Sequence, residues 1–276
     1  MKQQQTLAVL GCGWLGLPLG KRLVANGYTV KGSTTTADKL PLLASAGLQA
    51  FPITLTADAE AIQAETLRAF LENVSVLCID IPPKLRVLPA ENFVAKIENI
   101  IPYIVEAKIS RVIFVSSTSV FADQVGFPTI TEQTQPNPDT ESGKQLWTTE
   151  QRLQAQPQFE TTVVRFGGLI GPERHPVKHL AGRKNVENPL APINLIHLED
   201  CLTVLEKLIT NDKTAGQTYN VVAPFHPSRE TYYTAKAKIN NLQAPEFTHT
   251  EQQVGKLIEA DCISTTLEVT FNTELY

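Results

Sequence analysis

Short runs of apolar residues alternate with helical patterns through the first two-thirds of the chain. This alternation is typical of a parallel sheet whose strands are connected by crossover helices. After the first run, Leu15, Leu19 and Leu23 recur at every fourth residue, so one face of a helix can pack on the sheet. The pattern predicts an α/β fold with a doubly wound parallel sheet. Its first six strands are predicted at residues 6–10, 28–32, 48–55, 74–81, 111–116 and 161–166.

The segments between these strands predict helices and one long loop. Helical composition is found at residues 59–72, 91–107 and 144–156. Residues 127–142 hold three prolines among polar side chains, and so long a loop without structure of its own is usually functional or mobile. Beyond residue 172 the pattern weakens until a late strand at residues 219–222. We therefore expect a main domain at 1–172 and a smaller, substrate-facing C-terminal lobe at 173–276, interleaved because the late strand returns toward the sheet.

Composition narrows the class of function. The 276 residues carry 24 basic and 28 acidic side chains, which gives a formal net charge of −4. Such a balance provides no basic surface for nucleic acid or an anionic membrane, so we expect a small-molecule substrate and neither of those partners. With 42% hydrophobic and 19% charged residues the chain can bury a core, which excludes disordered and fibrous proteins.

Cysteines and histidines indicate neither disulfides nor a metal. The four cysteines lie far apart without a CxxC pair, so they are expected to be reduced thiols of a cytoplasmic protein. His175 and His179 have the spacing of helical metal ligands, but Pro176 lies between them and no further ligand is near, so no metal is predicted. The apolar run at residues 7–10 is too short for a signal peptide, and no run is long enough to span a membrane.

Residues 11–16, GCGWLG, match the GxGxxG fingerprint directly after the first predicted strand and at the start of a helix. Gly11 permits the tight turn, Gly13 lets the backbone approach a pyrophosphate, and Gly16 allows close packing of helix and strand. The N-terminus of the helix adds N–H groups and a partial positive charge for the phosphates. The sequence therefore predicts a Rossmann fold, with residues 1–172 as the NAD(P)-binding domain.

The residues after the second predicted strand bear on the choice between NAD and NADP. A carboxylate about 20 residues beyond the glycines binds the adenosine ribose of NAD, whereas basic or hydroxyl side chains admit the 2′-phosphate of NADP. Here residues 33–36 are all Ser or Thr, and Lys31 or Lys39 would add positive charge. The nearby acid, Asp38, is expected in a first helical turn after a Thr36 cap. NADP is predicted, with NAD as the alternative.

Four motifs stand in order at residues 11–16, 116–122 (SSTSVFA), 165–172 (RFGGLIGP) and 194–200 (NLIHLED). Together they resemble the extended branch of the short-chain dehydrogenase/reductases, and more narrowly its atypical NAD(P)-dependent epimerase/dehydratases, the nucleoside-diphosphate-sugar epimerases. The resemblance covers residues 6 to 222. The cofactor site expected on this basis comprises Gly11, Gly13, Trp14, Leu15, Gly16, Ser33, Thr34, Thr35, Ile81, Pro82, Ser116 and Phe166.

The resemblance also implies catalytic positions, and these are only partly present. Ser117 matches the serine that hydrogen-bonds the reacting hydroxyl or carbonyl in that family. A tyrosine and a lysine normally follow as YxxxK, where the ammonium lowers the pKa of the phenol so that the phenolate can take a proton. This chain lacks that pair.

Two alignments of the helix that should carry the pair remain open. With Glu150 placed at the glutamate that usually follows in the family, Ser142 replaces the tyrosine and Leu146 the lysine. A frame shifted by two residues gives Thr140 and Lys144 instead. Neither restores a phenol, and an aliphatic hydroxyl is too weak an acid to be ionised by one neighbouring lysine.

Several acids and bases nearby in the sequence are candidate substitutes, namely Asp139, Glu141, Lys144, Glu173, Arg174 and His175. Charged residues of this kind are mostly solvated, so each is more typical of a loop surface than of a catalytic centre. The catalytic residues predicted here are Ser117, Ser142 and Glu141.

Two functions fit this pattern. The first is an NADP-dependent oxidoreductase or epimerase that acts on a nucleotide sugar or similar polar metabolite with non-standard acid–base residues. The second is a non-catalytic sensor or regulatory module in which bound NADP(H) reports redox state to a partner. We favour the enzyme, because a hydride donor held in a pocket can catalyse reduction even with imperfect proton delivery. The resemblance also implies a homodimer.

Overall fold

The computed structural model of the chain describes residues 5–83, 85 and 91–271. Its strands are β1 (Thr6–Leu10), β2 (Thr29–Thr34), β3 (Gln49–Pro52), β4 (Val74–Ile79), β5 (Arg111–Ser117), β6 (Gln124–Val125), β7 (Thr129–Ile130), β8 (Glu160–Phe166), β9 (Gly168–Ile170), β10 (Leu195–His197), β11 (Thr218–Val221), β12 (Val254–Gly255) and β13 (Leu257–Ile258). Its α-helices are α1 (Gly16–Ala25), α2 (Leu40–Ser45), α3 (Ala64–Leu71), α4 (Phe93–Glu98), α5 (Ile101–Glu106), α6 (Glu141–Gln154), α7 (Val177–Leu180), α8 (Leu198–Thr210), α9 (Arg229–Ile239) and α10 (Asp261–Leu267). Among these described residues, none of the helices has both the length and the apolar character needed to cross a membrane.

Seven of the strands form one parallel sheet in the order β11-β8-β5-β4-β1-β2-β3. The direction of winding reverses at β1, because β2 lies on one side of it and β4 on the other. In doubly wound sheets, ligands bind outside the carboxyl ends of the strands at such a reversal. The predicted fold class is confirmed, and the reversal lies next to the glycine-rich turn.

The register of the central strands brings two segments together at that edge. Leu10 of β1 is paired with Ile79 of β4. The residue after Ile79 is Asp80, and its N–H donates to the carbonyl oxygen of Leu10 at 2.9 Å. The turn after β1 and the segment after β4 therefore leave the sheet side by side. Strand β4 ends at Ile79 and not at residue 81 as predicted, so Asp80 and Ile81 lie just beyond the end of the strand.

Other element boundaries differ from the predictions for local reasons. The helix predicted at 91–107 is two helices, α4 and α5, because Pro102 has no N–H to continue the ladder and instead occupies the first turn of α5. The segment predicted as helical at 59–72 begins with a 3₁₀ turn, Ala59–Ala61, before α3. Helix α6 begins at Glu141, three residues earlier than expected. The late strand is found as β11.

The chain folds into two compact units. The first comprises Met1–Ser117, Thr140–Val164 and Leu202–Thr218, and the second comprises Thr118–Asp139, Arg165–Cys201 and Tyr219–Tyr276. Each of these units is made of three separate segments of the chain. The division into a domain at 1–172 and a lobe at 173–276 stays a prediction.

The second unit has its own core, to which β9, β10, α7 and α9 contribute. Its buried members are Ile170, Val177, Ile193, Leu195, Ala223, Tyr232, Tyr233 and Ala237. Near the C-terminus, β12 pairs with β6 and β13 pairs with β7. Between these two pairings, Lys256 donates to the carbonyl oxygen of Phe121 at 2.6 Å and to the carboxylate of Asp123 at 2.9 Å. A segment outside the sequence resemblance thus holds residues 121–130 in place.

In the first unit, Arg111 ties the start of β5 to the end of α8. Its guanidinium lies among the carbonyl groups that the last turn of a helix leaves without partners. It donates to the carbonyl oxygens of Leu208, Ile209 and Asn211 and to the carboxylate of Asp212, at 2.6 to 3.1 Å. The Arg111 side chain is only 11% exposed, so its bonds to the three carbonyl oxygens are largely shielded from solvent, whereas the side chain of Asp212 is 88% exposed.

We expect Arg111→Met to lower the free energy of unfolding by about 2–3 kcal/mol, because buried carbonyls lose a charged donor. The matched control is Arg68→Met, since Arg68 pairs with Glu106 where both side chains are more than half exposed, and it should cost less than about 1 kcal/mol. Urea unfolding followed by circular dichroism measures both. Equal losses in the two variants would contradict the role given to Arg111.

Candidate functional site

The turn between β1 and α1 is held in shape by β2. The N–H of Gly11 donates to the hydroxyl oxygen of Ser33 at 2.9 Å, and the N–H of Cys12 donates to the carbonyl oxygen of Ser33 at 2.7 Å. Gly11 has a φ of +108°, a conformation that favours glycine. One residue of β2 thereby fixes two consecutive N–H groups of the turn and determines the direction in which the chain leaves β1.

The three glycines of the fingerprint differ in what surrounds them. A Cβ atom on Gly11 would lie 2.3 Å from the carbonyl oxygen of Asp80, and one on Gly16 would lie 2.3 Å from the carbonyl oxygen of Gly11. A Cβ atom on Gly13 would meet nothing within 4 Å. Protein packing therefore requires Gly11 and Gly16, whereas the absence of a side chain at Gly13 leaves space through which a ligand can approach the backbone.

The N-terminus of α1 offers hydrogen-bond donors to that space. Within the part of the chain that the structure describes, the N–H groups of Leu15 and Gly16 donate to no other group of the protein. The next donors, from Leu17 and Leu19, are used by the carbonyl oxygens of Gly13 and Leu15. Two open N–H groups, the helix dipole and an uncovered glycine are the features of a phosphate site, so these residues fit the pyrophosphate of a dinucleotide.

The hydroxyl groups after the second strand are partly used by the protein itself. Ser33 is buried and accepts the N–H of Gly11, and the hydroxyl oxygen of Thr34 accepts the N–H of Thr36 at 3.2 Å. Both lie on β2, which runs two residues further than predicted. Thr35 is exposed. Contact between any of the three and a cofactor stays a prediction, with Thr35 the most accessible.

The two lysines suggested for the 2′-phosphate have different environments. Lys31 is buried, and its ammonium donates to the carbonyl oxygens of Ala69 and Glu72 at 2.7 and 2.8 Å, at the end of α3. Burial also lowers the pKa of Lys31. The expectation that Lys31 adds charge for a phosphate is therefore wrong, because its ammonium is already bound to carbonyl oxygens at the end of α3. The sequence pattern gives no sign of these contacts. Lys39 is exposed at the end of the 3₁₀ turn Ala37–Lys39.

That 3₁₀ turn also contains Asp38. Asp38 lies in its first turn, as expected, but the side chain of Thr36 makes no capping hydrogen bond there. The carboxylate of Asp38 is exposed on the turn.

The remaining predicted cofactor residues are spread over both units. Ile81 lies against the turn, with its Cγ1 3.1 Å from the position of a Cβ on Gly11, and Pro82 is exposed. Trp14 is partly buried, whereas the side chain of Leu15 is almost fully buried and leaves only its backbone for a ligand. Phe166 is buried at the end of β8 in the second unit.

The paired serines at the end of β5 have different surroundings. The hydroxyl of Ser116 donates to the carboxylate of Glu150 at 2.5 Å, and Glu150 is fully buried in α6. This bond fixes α6 to the sheet, while contact between Ser116 and a cofactor stays a prediction. Ser117 is the neighbouring strand residue, so its side chain projects from the opposite face, and it is partly exposed.

Helix α6 carries no tyrosine or lysine at the positions of the first alignment. Ser142 is half-buried and Leu146 is only 4% exposed, so an apolar side chain fills the lysine position. In the second alignment, the Thr140 hydroxyl caps the helix by accepting the N–H of Gly143 at 3.1 Å, and Lys144 is exposed. Glu141, the third predicted catalytic residue, is exposed, and its carboxylate accepts a hydrogen bond from Gln145 at 2.9 Å.

His175 has a structural environment in the second unit. Its Nδ1 accepts the N–H of Val177 at 3.1 Å, and its Nε2 lies 2.9 Å from the hydroxyl of the buried Tyr232. Burial, with Lys236 and Lys178 nearby, lowers the pKa of His175 to about 4. The neutral ring therefore donates from Nε2 to Tyr232, and both of its nitrogens are engaged.

Asp80 is a residue of the site that sequence reasoning missed. Its carboxylate lies beside the first residue of α1, because its Oδ2 is 3.0 Å from the position of a Cβ on Gly16. The sequence held a signal for it, since an acid interrupts the otherwise apolar run at 74–81. Elsewhere in residues 5–83, 85 and 91–271, no three His, Cys, Asp or Glu side chains come together as a metal site would need.

Solved structures resemble this fold over almost its whole length. A short-chain dehydrogenase/reductase superfamily protein from Agrobacterium tumefaciens, crystallised with bound NAD, has a TM-score of 0.78 at 16% identity, over 98% of this chain and 94% of that one. UDP-glucose 4-epimerase from Thermotoga maritima, crystallised with UDP-glucose, has a TM-score of 0.81 at 12% identity, over 98% and 95%. The chain shares the fold of these short-chain dehydrogenase/reductase and epimerase structures, which confirms the fold that the resemblance implies.

A relative at higher identity defines the family. Protein YeeZ of Escherichia coli K12 is 32% identical over 262 residues, which are 93% of this chain and 92% of YeeZ. The chain therefore belongs to the same family as YeeZ. A search of protein-family models finds no match to the chain.

The three glycines should respond differently to substitution. Gly11→Ala and Gly16→Ala should each lower the free energy of unfolding by about 2 kcal/mol or more, because a methyl group would overlap a backbone oxygen. Gly13→Ala should unfold like the wild type, because its methyl group meets open space. Thermal unfolding measures all three. A destabilised Gly13→Ala would show that this glycine serves the fold and not a ligand.

Proposed function

We propose that the chain binds NADP(H) at the turn 11–16 and is an NAD(P)-dependent reductase- or epimerase/dehydratase-like enzyme acting on a nucleotide sugar or similar polar metabolite. The observation that carries the proposal is the combination of an uncovered Gly13 with open N–H groups on Leu15 and Gly16 at the reversal of the sheet. The bound NAD and UDP-glucose of the two structural neighbours support the cofactor and substrate classes.

The choice of NADP rests on the segment after β2. Thr35 and Lys39 are exposed there and supply a hydroxyl and a positive charge, while Lys31 is used elsewhere. Asp38 is the only acid of residues 33–39, and its place in the 3₁₀ turn suits the dipole of that turn. This composition suits the 2′-phosphate of NADP better than the ribose 2′-hydroxyl of NAD.

Different residues of this chain have different roles in the proposed reaction. When bound, a nicotinamide dinucleotide supplies or accepts hydride. Gly13, Leu15 and Gly16 hold its pyrophosphate by backbone groups, and Ser117 donates a hydrogen bond to the reacting carbonyl or accepts one from the reacting hydroxyl. Glu141, at the start of α6, gives a proton to the reacting oxygen or takes one from it in place of the phenol, with Ser142 next to it as a hydrogen-bond partner.

The second candidate, a cofactor-binding module without turnover, is favoured by Leu146. In the first alignment, a buried leucine at the lysine position leaves Ser142 without the charge that would lower the pKa of its hydroxyl. The two candidates share the cofactor site and differ in hydride transfer. We further propose a cytoplasmic protein, in keeping with four cysteines that form no disulfide, and a homodimer, as expected from the resemblance.

The cofactor assignment predicts a pattern of affinities. The wild type should bind NADP(H) more tightly than NAD(H), and Gly13→Ala should lose most binding of both. Lys39→Ala should weaken NADP(H) binding about fivefold with little change for NAD(H), because one charge pair with the 2′-phosphate is lost. Lys21→Ala, an exposed lysine on α1, is the control. Isothermal titration calorimetry measures each value, and tight binding by Gly13→Ala would contradict the proposed site.

The catalytic assignment predicts a loss of turnover. With a substrate found by NADPH oxidation across nucleotide sugars and carbonyl compounds, Ser117→Ala should lower kcat about a hundredfold, and Glu141→Gln should lower it in the same direction. Ser45→Ala, an exposed serine of α2, should leave kcat unchanged. Unchanged rates in both site variants would refute these roles. Tight cofactor binding without hydride transfer to any compound would favour the module.

A further inference from the structure

Gln145 of α6 connects Glu141 to the start of α4. It lies one turn further along α6 on the same face, and its Nε2 donates to the Oε1 of Glu141 at 2.9 Å. The same Nε2 donates to the carbonyl oxygen of Glu91 at 3.2 Å. The Oε1 of Gln145 accepts the N–H of Phe93, the first residue of α4, at 2.7 Å. All four residues lie in the first unit, so one amide group joins two helices of that unit to a single carboxylate.

The chemistry of these contacts fixes the orientation of the Gln145 amide. A backbone N–H can only donate, so the atom that faces Phe93 is the amide oxygen. The amide nitrogen then faces a carbonyl oxygen and a carboxylate oxygen, which are both acceptors. A flipped amide would place donor against donor and acceptor against acceptor. An ionised glutamate has the same shape as glutamine and could accept from Phe93, but it could not donate to Glu91 or Glu141.

These contacts hold one oxygen of the Glu141 carboxylate and leave the other open. Among residues 5–83, 85 and 91–271, no group bonds to the Oε2 of Glu141, and the side chain is exposed. An exposed glutamate without partners samples many rotamers, and holding it in one of them costs conformational entropy. Gln145 is itself held by α4 at two points, so it restricts Glu141 before any substrate binds.

The same geometry decides which oxygen of Glu141 carries a proton. The N–H of Gln145 points at Oε1, so a proton bound to the carboxyl group resides on Oε2. In a reduction, the O–H bond of the product forms with this proton, and Glu141 is left as the carboxylate. In an oxidation, the carboxylate takes the proton back as the O–H bond of the substrate breaks. A fixed Oε1 therefore presents Oε2 for proton transfer in either direction.

We propose that Gln145 is a positioning residue for proton transfer, which holds the Glu141 carboxylate by one oxygen so that the other can exchange a proton with the substrate. This inference rests on the proposed function, because Glu141 is the acid–base residue proposed there. Gln145 acts through Glu141 and does not itself touch substrate or cofactor. Loss of its donor groups therefore lowers the rate of the proton-transfer step and leaves dinucleotide binding unchanged.

The kinetic test uses a substrate found by NADPH oxidation across nucleotide sugars and carbonyl compounds. Gln145→Glu keeps an acceptor for Phe93 and loses the donors, so kcat should fall about tenfold, while KM and the affinity for NADPH change less than about twofold. Gln151→Glu adds the same charge at an exposed position of α6 and should leave kcat unchanged. Gln145→Met should give the same loss without an added charge, and it replaces Gln145→Glu if that variant does not fold.

A double-mutant cycle separates positioning from a general structural role. Gln145→Met should lower kcat about tenfold in the wild type but less than about twofold in Glu141→Gln, because the group it positions has already been removed. Equal fold losses in the two backgrounds would overturn this inference and leave the proposed function standing. Unchanged kcat in Glu141→Gln, or no turnover by the wild type, would overturn the proposed role of Glu141 and this inference together.

Side-chain NMR tests the contact without a substrate. In protein labelled with ¹⁵N at glutamine, the NH₂ signals of Gln145 should shift in Glu141→Ala by more than their line width, because a direct acceptor is lost. The signals of Gln151 on the same helix should stay in place. Gln145 signals that do not move in Glu141→Ala would overturn the inference, whatever the rates are.

Discussion

The site depends on the close approach of two backbones at the edge of the sheet. Gly11 and the carbonyl oxygen of Asp80 lie so near to each other that no side chain fits between them. The register of β1 and β4 sets this approach, and the bonds from Gly11 and Cys12 to Ser33 hold it from the side of β2. Three neighbouring strands therefore shape one turn. The direction of α1, and with it the two open N–H groups, follows from that turn.

The fold was predictable because its signals are local and repeated. Each of these signals can be recognised from nearby residues alone. Examples are the apolar run of β4, the leucine stripe of α1 and the glycines of the turn. The doubly wound class of the sheet followed from the alternation of strands and helices and from the fingerprint, whereas the order of the strands was not predicted. Boundaries were less predictable where one residue decides them, as Pro102 does between α4 and α5.

Side-chain partners were the part that the sequence could not supply. Lys31 and Lys39 are equally plausible phosphate ligands in the sequence, yet the ammonium of Lys31 serves carbonyl groups 38 and 41 residues away. Ser116 and Ser117 are identical neighbours, and only the three-dimensional position of Glu150 separates the one that anchors α6. Asp80 resembled an ordinary strand end until its contact with Gly16 was visible. Such roles depend on contacts between residues that are far apart in the chain. No periodicity or motif in a single sequence indicates which distant residues will be in contact.

The bond between Lys256 and Phe121 joins residues 135 positions apart in the chain. The pairings of β12 with β6 and of β13 with β7 span similar distances, so the second unit owes part of its order to contacts of very high sequence separation. During synthesis, residues 121–130 emerge long before residues 254–258 exist to bind them. Contacts of this kind raise the contact order and slow folding. The last strands of this chain thus set a limit on how early in translation its second unit can become native.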